Sequence, residues 1–186
     1  MKTRASVPAT GKGFEQSYNA QAAVDTESML VVATDIAQVT TDKQHVAPML
    51  EVLAGLPEAL GRVEPLLADN GYFSAANVER CVQAKIEPLL AAGREEHRPH
   101  WEDRFTEPPA LAKPASAVER MKHRLKTRQG RQLYGKRLQT VEPVFGIIKS
   151  VMRFRQFLLR GLASVRGEWT LVTMAWNIKR MAIMAG

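Results

Sequence analysis

The sequence predicts an α/β domain followed by a helical segment, on three observations: a hairpin pattern near the start, alternating strand and helix patterns after it, and only helical spacing in the last third. Two short runs rich in Val and Ala, 18–24 and 29–36, flank the polar residues 25–28, which is typical of a β-hairpin. The second run is almost entirely apolar, so we expect it inside the sheet. With 186 residues and 45% hydrophobic content, the chain can form one domain with a sizeable core.

A helix, a strand, a second helix and a further strand are predicted after the hairpin. Apolar residues recur at helical spacing between Val46 and Leu53, and this helix should end near Gly55. The next strand, 63–68, contains Pro65, which restricts it to a sheet edge or places the proline near the strand start. Ser74 can then cap a helix to Ala84, and 86–91 forms the last strand.

Residues 93–116 lack any apolar period and contain four prolines, so we expect a loop between a part with sheet and helices, 1–92, and a helical part, 117–186. His97 and His100 lie in this loop beside acidic residues. A zinc site needs ligands held by rigid neighbours, so we favour a plain loop over a metal site.

In the helical part, the apolar spacing predicts three helices. They cover 117–129, 132–155 and 166–184, and the last, apolar on most faces, should be buried.

Charge is divided unevenly along the chain. Residues 1–118 carry 11 Lys and Arg against 16 Asp and Glu, whereas residues 119–186 carry 15 Lys and Arg against three Glu. A basic block of this kind attracts polyanions, and nucleic acid is the polyanion we expect. A solvated basic surface and a membrane-surface patch are the alternatives from composition alone.

Several classes of protein are disfavoured. Cys81 is the single cysteine, so no internal disulfide can form, and it has no histidine near it in sequence. No Gly-x-Ser-x-Gly motif occurs, which leaves nucleophilic hydrolase chemistry without support. The start lacks a signal-peptide core, and the most apolar stretch, 169–184, is interrupted by polar residues. We therefore expect a cytoplasmic protein without a membrane partner.

Asp69 follows the predicted strand 63–68 and should lie at the rim of the sheet. A carboxylate there can hold Mg²⁺ or Mn²⁺, because these hard cations prefer oxygen ligands. The equally weighted alternative is an Asp-Asn-Gly turn in which Asp69 has only a structural role. The local sequence does not separate these two readings.

Glu142 precedes Pro143, and proline favours the first position of a helix, so we expect Glu142 at or just before a helix N-cap. Lys149 and Arg153 would return to within about 20° of Glu142 around such a helix. The sequence therefore predicts a stripe of one acid and two bases, suited to a metal at one end and phosphates along the rest.

Five segments together carry a family resemblance. The segments are 13–25, 68–74, 142–149, 154–161 and 166–169. They resemble the C-terminal part of a bacterial insertion-sequence DDE transposase, over most of the chain outside the proline-rich loop. The resemblance implies a ribonuclease H-like fold, with a mixed sheet flanked by helices, and a triad of two aspartates and one glutamate that binds two divalent metals, Mg²⁺ or Mn²⁺.

By motif position, the resemblance makes Asp69 the second aspartate and Glu142 the glutamate of the triad. It also implies that a tyrosine, an arginine and a lysine contact DNA near the cleaved end. Tyr134, Arg137 and Lys149 fit these positions, although the spacing from Arg137 to Glu142 is one residue longer than usual.

The basic cluster of Arg153 and Arg155 completes the predicted DNA-binding residues.

One departure from the family concerns the start of the chain. The family's sheet begins with three antiparallel strands, with the first aspartate on the first of them, and this sequence shows only two. We therefore expect the first strand and its aspartate to be missing and the two-metal site to be incomplete. Asp25 and Asp35 are weaker candidates to replace that ligand.

The leading interpretation is a shortened transposase catalytic domain, 1–186, whose family reaction is metal-dependent cleavage and transfer of a DNA strand. With two of the three metal ligands, we expect the isolated chain to have a metal affinity and a reaction rate well below those of a complete enzyme. The alternative is a non-catalytic module that binds DNA or a full-length transposase. Self-association is expected in either case.

Overall fold

The structure is a computed structural model that describes residues 3–4, 18–39, 41–93 and 106–186. The chain divides into two compact units. The first comprises Met1–Asp42 and Leu138–Gly186, and the second comprises Lys43–Arg137. The two units are described separately.

The first unit contains a three-stranded antiparallel sheet in the order β1-β2-β3, formed by Thr3–Arg4, Asn19–Val24 and Val31–Ala37. The predicted hairpin is confirmed as β2 and β3, with Ala20 opposite Ile36. Two predictions are wrong. A strand does precede the hairpin, because Thr3 pairs with Ala20; at two residues it is too short to give a period in the sequence. In addition, β3 was expected inside the sheet, whereas among the described strands it lies at the edge.

The edge of β3 is covered by a side chain from the last helix, α5 (Leu162–Ala185). The side-chain oxygen of Asn177 accepts from the Val31 N–H at 2.8 Å, and its amide nitrogen donates to the Val31 carbonyl, also at 2.8 Å. Beside it, the Trp176 indole donates to the carbonyl of Met29 at 2.9 Å. An edge strand with unpaired backbone groups would invite other chains, and Asn177 satisfies both groups at this position.

The core of the first unit lies between the sheet and two helices. Trp169 of α5 stacks on Phe145 with ring centroids 5.6 Å apart, and its indole donates to the Gln21 carbonyl of β2. The prediction that α5 is buried holds for one face only, which carries Val165, Trp169, Thr173 and Trp176. Its exposed apolar residues are Leu171, Met174, Ile178, Met181, Ile183 and Met184.

The second unit contains a two-stranded parallel sheet, β4 (Pro65–Ala68) and β5 (Glu87–Leu90), with Leu67 opposite Leu89. The helices α1 (Val46–Ala54), α2 (Ala75–Gln83) and α3 (Ala117–Lys126) complete it. The predicted order is confirmed here, with Pro65 at the strand start. The antiparallel and parallel pairings expected in one mixed sheet occur in two separate sheets among the described strands.

Helix boundaries in this unit follow capping chemistry. The Ser74 hydroxyl accepts from the Asn77 N–H, as predicted for the start of α2. Ser116 and Glu119 form a reciprocal capping box at the start of α3, which ends at Lys126, three residues earlier than expected.

The longest connection is only partly described. Residues 106–116 contain no helix or strand, as the loop prediction requires. Residues 94–105, with His97 and His100, lie outside the described residues. Within the described part of the chain, no helix combines the length and the apolar character needed to cross a membrane.

Helix α4 runs from Arg128 to Ser150, with Pro143 inside it. Its residues are divided between the two units. The predicted helix, 132–155, therefore begins later and ends later than the observed one. The end at Ser150 has a local cause, since the N–H groups of Val151 and Met152 both donate to the Ile147 carbonyl at 2.9 Å. Their convergence on one acceptor ends the regular hydrogen-bond ladder.

Candidate functional site

Asp69 directly follows β4 and has an extended backbone, with φ −77° and ψ 178°. One of its carboxylate oxygens accepts a hydrogen bond from the Gly71 N–H at 2.9 Å, which opens a 3₁₀ turn over Asn70–Tyr72. Of the two roles that the sequence allowed for Asp69, the role in an Asp-Asn-Gly turn is therefore confirmed. Because this bond engages one oxygen of a half-buried carboxylate, the turn role and a ligand role are compatible.

The turn after Asp69 is held by two side-chain amides, the buried Asn77 and the exposed Asn70. The Asn77 side-chain nitrogen donates to the Tyr72 carbonyl at 2.9 Å and to the Lys43 carbonyl at 2.8 Å. Asn77 is 1% exposed. The Asn70 side chain accepts from the Gly93 N–H at 3.0 Å, just beyond β5. These bonds fix the direction in which the chain leaves the strand, and with it the position of Asp69.

Tyr134 and Arg137, two of the predicted DNA-binding residues, lie together at the same strand end. The Tyr134 hydroxyl donates to the carbonyl of Ala68 at 3.2 Å, one residue before Asp69. The Arg137 guanidinium carbon lies 5.4 Å from the centre of the Tyr134 ring, within the range of a cation–π contact. The second unit thus brings Tyr134 to the end of β4 and Arg137 to the Tyr134 ring.

The Nε atom of Arg137 is buried, and no atom of the described residues forms a hydrogen bond with it. A buried donor left unsatisfied on a charged group costs more than the about 1–3 kcal/mol of a neutral one. An anion that accepted from this N–H would remove the penalty. This is the chemistry expected of a residue that holds a phosphate.

Glu142 belongs to the first unit and is exposed in the interior of α4. The prediction that it stands at a helix N-cap is wrong. Pro143 lacks an N–H, so the helix loses the hydrogen bond to the carbonyl of Gln139, but Gln139 is exposed and water can bond that carbonyl. The helix therefore continues through the proline.

Lys149 lies seven residues after Glu142 on α4, within about 20° of it around the helix axis. Arg153 does not continue this stripe, so the predicted set of one acid and two bases on one helix face is wrong. It follows the helix end with φ 59°, in the left-handed region. There the Phe154 N–H donates back to the Ile148 carbonyl at 3.0 Å. Arg153 and Arg155 are exposed in the segment that follows.

That segment, residues 151–161, is called the 151–161 loop below. Sequence reasoning did not find the residue that fixes it, Glu168. The Glu168 carboxylate accepts from the N–H of Leu158 at 2.9 and 3.1 Å and from the N–H of Leu159 at 3.1 Å. A signal was present, because Glu168 is the only acid after Glu142 in a basic segment.

Asp25 and Asp35 both have partners within the first unit. Burial acts to raise the pKa of Asp25, but hydrogen bonds from the Ser28 hydroxyl and from backbone N–H groups act against it, and the pKa ends below its ordinary value. Asp25 thus stabilises the hairpin turn, where we predicted it. Asp35, on β3, lies 3.5 Å from the Arg166 guanidinium.

The donors available for a divalent metal are the carboxylates of Asp69 and Glu142. Both are accessible oxygen ligands of the type that Mg²⁺ and Mn²⁺ prefer. Among the described residues, no group of three His, Cys, Asp or Glu side chains is placed to hold a metal. Asp69 lies in the second unit and Glu142 in the first, and each carboxylate by itself has the donor chemistry that these cations take.

A model of the family described as Transposase DDE domain matches residues 2–178 of the chain. The matched range includes Asp69, Tyr134, Arg137 and Glu142. No curated protein and no solved structure matches the chain.

Proposed function

Because the chain belongs to the family of transposase DDE domains, we propose that it cleaves a DNA strand with a divalent metal and transfers the new end to target DNA. The observation that carries the proposal is the arrangement at the end of β4. There the Tyr134 hydroxyl bonds the carbonyl of Ala68, next to Asp69, and the Arg137 guanidinium, whose buried Nε has no partner among the described residues, lies near the Tyr134 ring.

Asp69 and Glu142 are the residues that would hold Mg²⁺ or Mn²⁺. The bound ion would supply Lewis-acid activation of the scissile phosphate and of the attacking water or hydroxyl. Asp69 suits this task because its backbone is fixed by the 3₁₀ turn and by Asn77. A rigid first ligand reduces the cost of ordering the site when substrate arrives.

The basic side chains would bind and orient the DNA backbone. Arg137 would donate from its buried Nε to a phosphate oxygen, while the Tyr134 ring limits the positions of its guanidinium. Lys149, on the same helix face as Glu142, and the exposed Arg153 and Arg155 would contact further phosphates. These contacts position the substrate without reading its sequence.

The reaction has two steps. In the first, a water oxygen attacks a phosphodiester, a P–O bond forms, and the bond from phosphorus to the 3′ oxygen breaks to leave a 3′-hydroxyl. In the second, this hydroxyl attacks a phosphodiester of the target strand, and the target's own 3′ oxygen leaves with a proton. Each step exchanges one P–O bond for another, so no oxidant or reductant is required.

Nicking of supercoiled plasmid in Mn²⁺ tests the proposal. We expect nicking by the unaltered chain and its loss in Asp69→Asn and in Glu142→Gln. The control is Glu79→Gln, which removes an exposed carboxylate from α2, away from the turn. Equal nicking by Asp69→Asn and the control would exclude Asp69 as a ligand.

A second candidate function is a non-catalytic module that binds DNA or another transposase subunit, including a second copy of this chain. The observation in its favour is that the described residues contain no group of three potential metal ligands. Under this function Asp69→Asn leaves DNA binding unchanged. Substitution of Lys149 or Arg155 would weaken binding and lower its salt dependence.

A further inference from the structure

The 151–161 loop presents an apolar side chain to solvent within a cationic setting. We propose that Leu158 is a wedge that enters between two base pairs of the bound duplex, while the arginines around it hold the adjacent phosphates. The inference rests on DNA as the substrate. It adds to that function a specific distortion of the duplex and assigns it to a residue outside the proposed metal site.

Leu158 is 75% exposed, more than any other large apolar side chain that the structure describes. Single exposed leucines are common on protein surfaces and need no explanation by themselves. The argument for Leu158 therefore depends on how its backbone is held and on the charges around it.

The backbone at Leu158 is fixed, although the side chain is not packed. Its own N–H donates to both oxygens of Glu168. On one side, Phe157 is buried against Trp169, with ring centroids 6.3 Å apart. On the other, the Gly161 N–H donates to the Tyr18 hydroxyl at 2.9 Å. A side chain on so rigid a support can enter a partner without the entropic cost of ordering a loop.

The positive charge around Leu158 favours an anionic partner. Between Glu142 and Glu168 the sequence carries five cations and no acid. Arg166 pairs with Asp35 at 3.5 Å, and the others are Lys149, Arg153, Arg155 and Arg160. Glu168 itself directs its carboxylate at the loop backbone. A second copy of the chain would bring the same cations face to face, which is unfavourable, whereas a nucleic acid backbone complements them.

An apolar side chain flanked by arginines is the chemistry that distorts duplex DNA. Such side chains enter a base step from the minor groove, partly unstack it and bend the helix, and the new contacts offset the cost of unstacking. Leu158 would gain burial between the bases, and Arg155 and Arg160, three residues before it and two after it, lie close enough in sequence to reach the adjoining phosphates.

The test uses the full chain and duplexes with 2-aminopurine at successive positions, in EDTA so that no cleavage occurs. Anisotropy of an end label reports binding, and 2-aminopurine fluorescence reports unstacking. We expect fluorescence to rise at one or two positions with the unaltered chain. Leu158→Ala should lose most of this rise while its affinity falls by no more than about tenfold.

Two variants complete the experiment. Leu158→Met keeps an apolar side chain of similar size and should keep the rise. Leu171→Ala removes a leucine that is 61% exposed on α5 and should behave like the unaltered chain. Far-UV circular dichroism checks that all three remain folded.

The outcomes separate the wedge from the proposed function. If the chain changes anisotropy but Leu158→Ala gives an undiminished fluorescence rise, the wedge is wrong and DNA binding stands. A chain that leaves anisotropy unchanged overturns the DNA function and the wedge together. Concentration-dependent self-association that Leu158→Ala abolishes, measured by sedimentation velocity without DNA, would assign Leu158 to an interface between copies and also overturn the wedge.

Discussion

The Tyr134 hydroxyl donates a hydrogen bond of 3.2 Å to the carbonyl oxygen of Ala68, the last residue of β4. The bond joins α4 to the strand end that leads into Asp69, across 66 residues of sequence. It places the aromatic ring on which Arg137 rests beside the proposed metal ligand. Within the second unit, the Tyr134 hydroxyl thus connects the strand end before Asp69 to the helix that carries Arg137.

Tyr134→Phe removes this hydrogen bond and keeps the ring. We expect the free energy of unfolding to fall by about 0.5–1.5 kcal/mol, the usual net contribution of one such bond. DNA affinity should change little, because the ring still supports Arg137. Urea unfolding followed by circular dichroism measures the first quantity and anisotropy the second. A large loss of DNA affinity without loss of stability would assign the hydroxyl to substrate.

Arg137→Met should weaken DNA binding without a cost in stability. Methionine keeps an apolar stem of similar length and removes the buried Nε that lacks a partner, so unfolding free energy should stay constant or rise by about 1 kcal/mol. The salt dependence of DNA affinity should decrease because one phosphate contact is lost. Lys113→Met, in the exposed loop before α3, is the matched control. Marked destabilisation by Arg137→Met would show that the side chain is structural.

Two glycines of α4 should respond oppositely to alanine. A Cβ on Gly130 would lie 1.8 Å from the carbonyl oxygen of Arg124, whereas a Cβ on Gly135 would meet no atom within 4 Å. Gly130→Ala should cost about 3 kcal/mol or more, since backbone must move. Gly135→Ala should stabilise by about 0.5–1 kcal/mol through its helix propensity. Similar denaturation midpoints for the two variants would contradict the close approach of α3 and α4.

Asn177→Leu should destabilise the first unit. The substitution leaves the N–H and carbonyl of Val31 without their partner, and each partly buried group can cost about 1–3 kcal/mol. The exposed edge of β3 should also favour aggregation. Thermal unfolding and light scattering measure the two effects. Ile178→Leu, one position along the same helix on an exposed face, is the control and should leave both unchanged.

Asp25 should contribute to the pH dependence of stability. Its folded pKa is below its ordinary value of 3.8, so its stabilising effect is complete above that value and is lost as pH falls through the lowered folded pKa. Asp25→Asn should remove this part of the acid-induced loss of stability. Urea titrations between neutral pH and strongly acidic pH measure it. If the free energy of unfolding falls with acid equally in the variant and the unaltered chain, the turn bonds persist in the unfolded chain.

Much of the fold and part of the site could be predicted from local chemistry. The hairpin, Pro65 at a strand start and the Ser74 cap depend on neighbours within a few residues, and all are confirmed. The same holds for the buried face of α1, where Val46, Met49, Leu50 and Leu53 are buried as their spacing predicts. The turn role of Asp69 was likewise visible in its Asp-Asn-Gly sequence.

The errors arose where tertiary packing overrides a local preference. Pro143 favours a helix start, but α4 continues through it because Thr140 before the proline and Val144 after it are both buried and keep the segment in the core. Arg153 is at helical spacing from Glu142, yet the chain leaves the helix so that Phe154 and Phe157 can pack near Trp169. The strand β1 has too few residues for any period.

The sequence by itself determined the type of each long element, the uneven charge, and the motifs by which Asp69 and Glu142 are recognised as metal-ligand candidates. These properties depend on residue identity and on spacing along the chain. Only the tertiary structure decided that Tyr134 meets Ala68, that the Nε of Arg137 is buried without a partner, and that Glu168 fixes Leu158 in an exposed position. Such relations join residues distant in sequence or depend on what surrounds a single atom, and no periodicity encodes them.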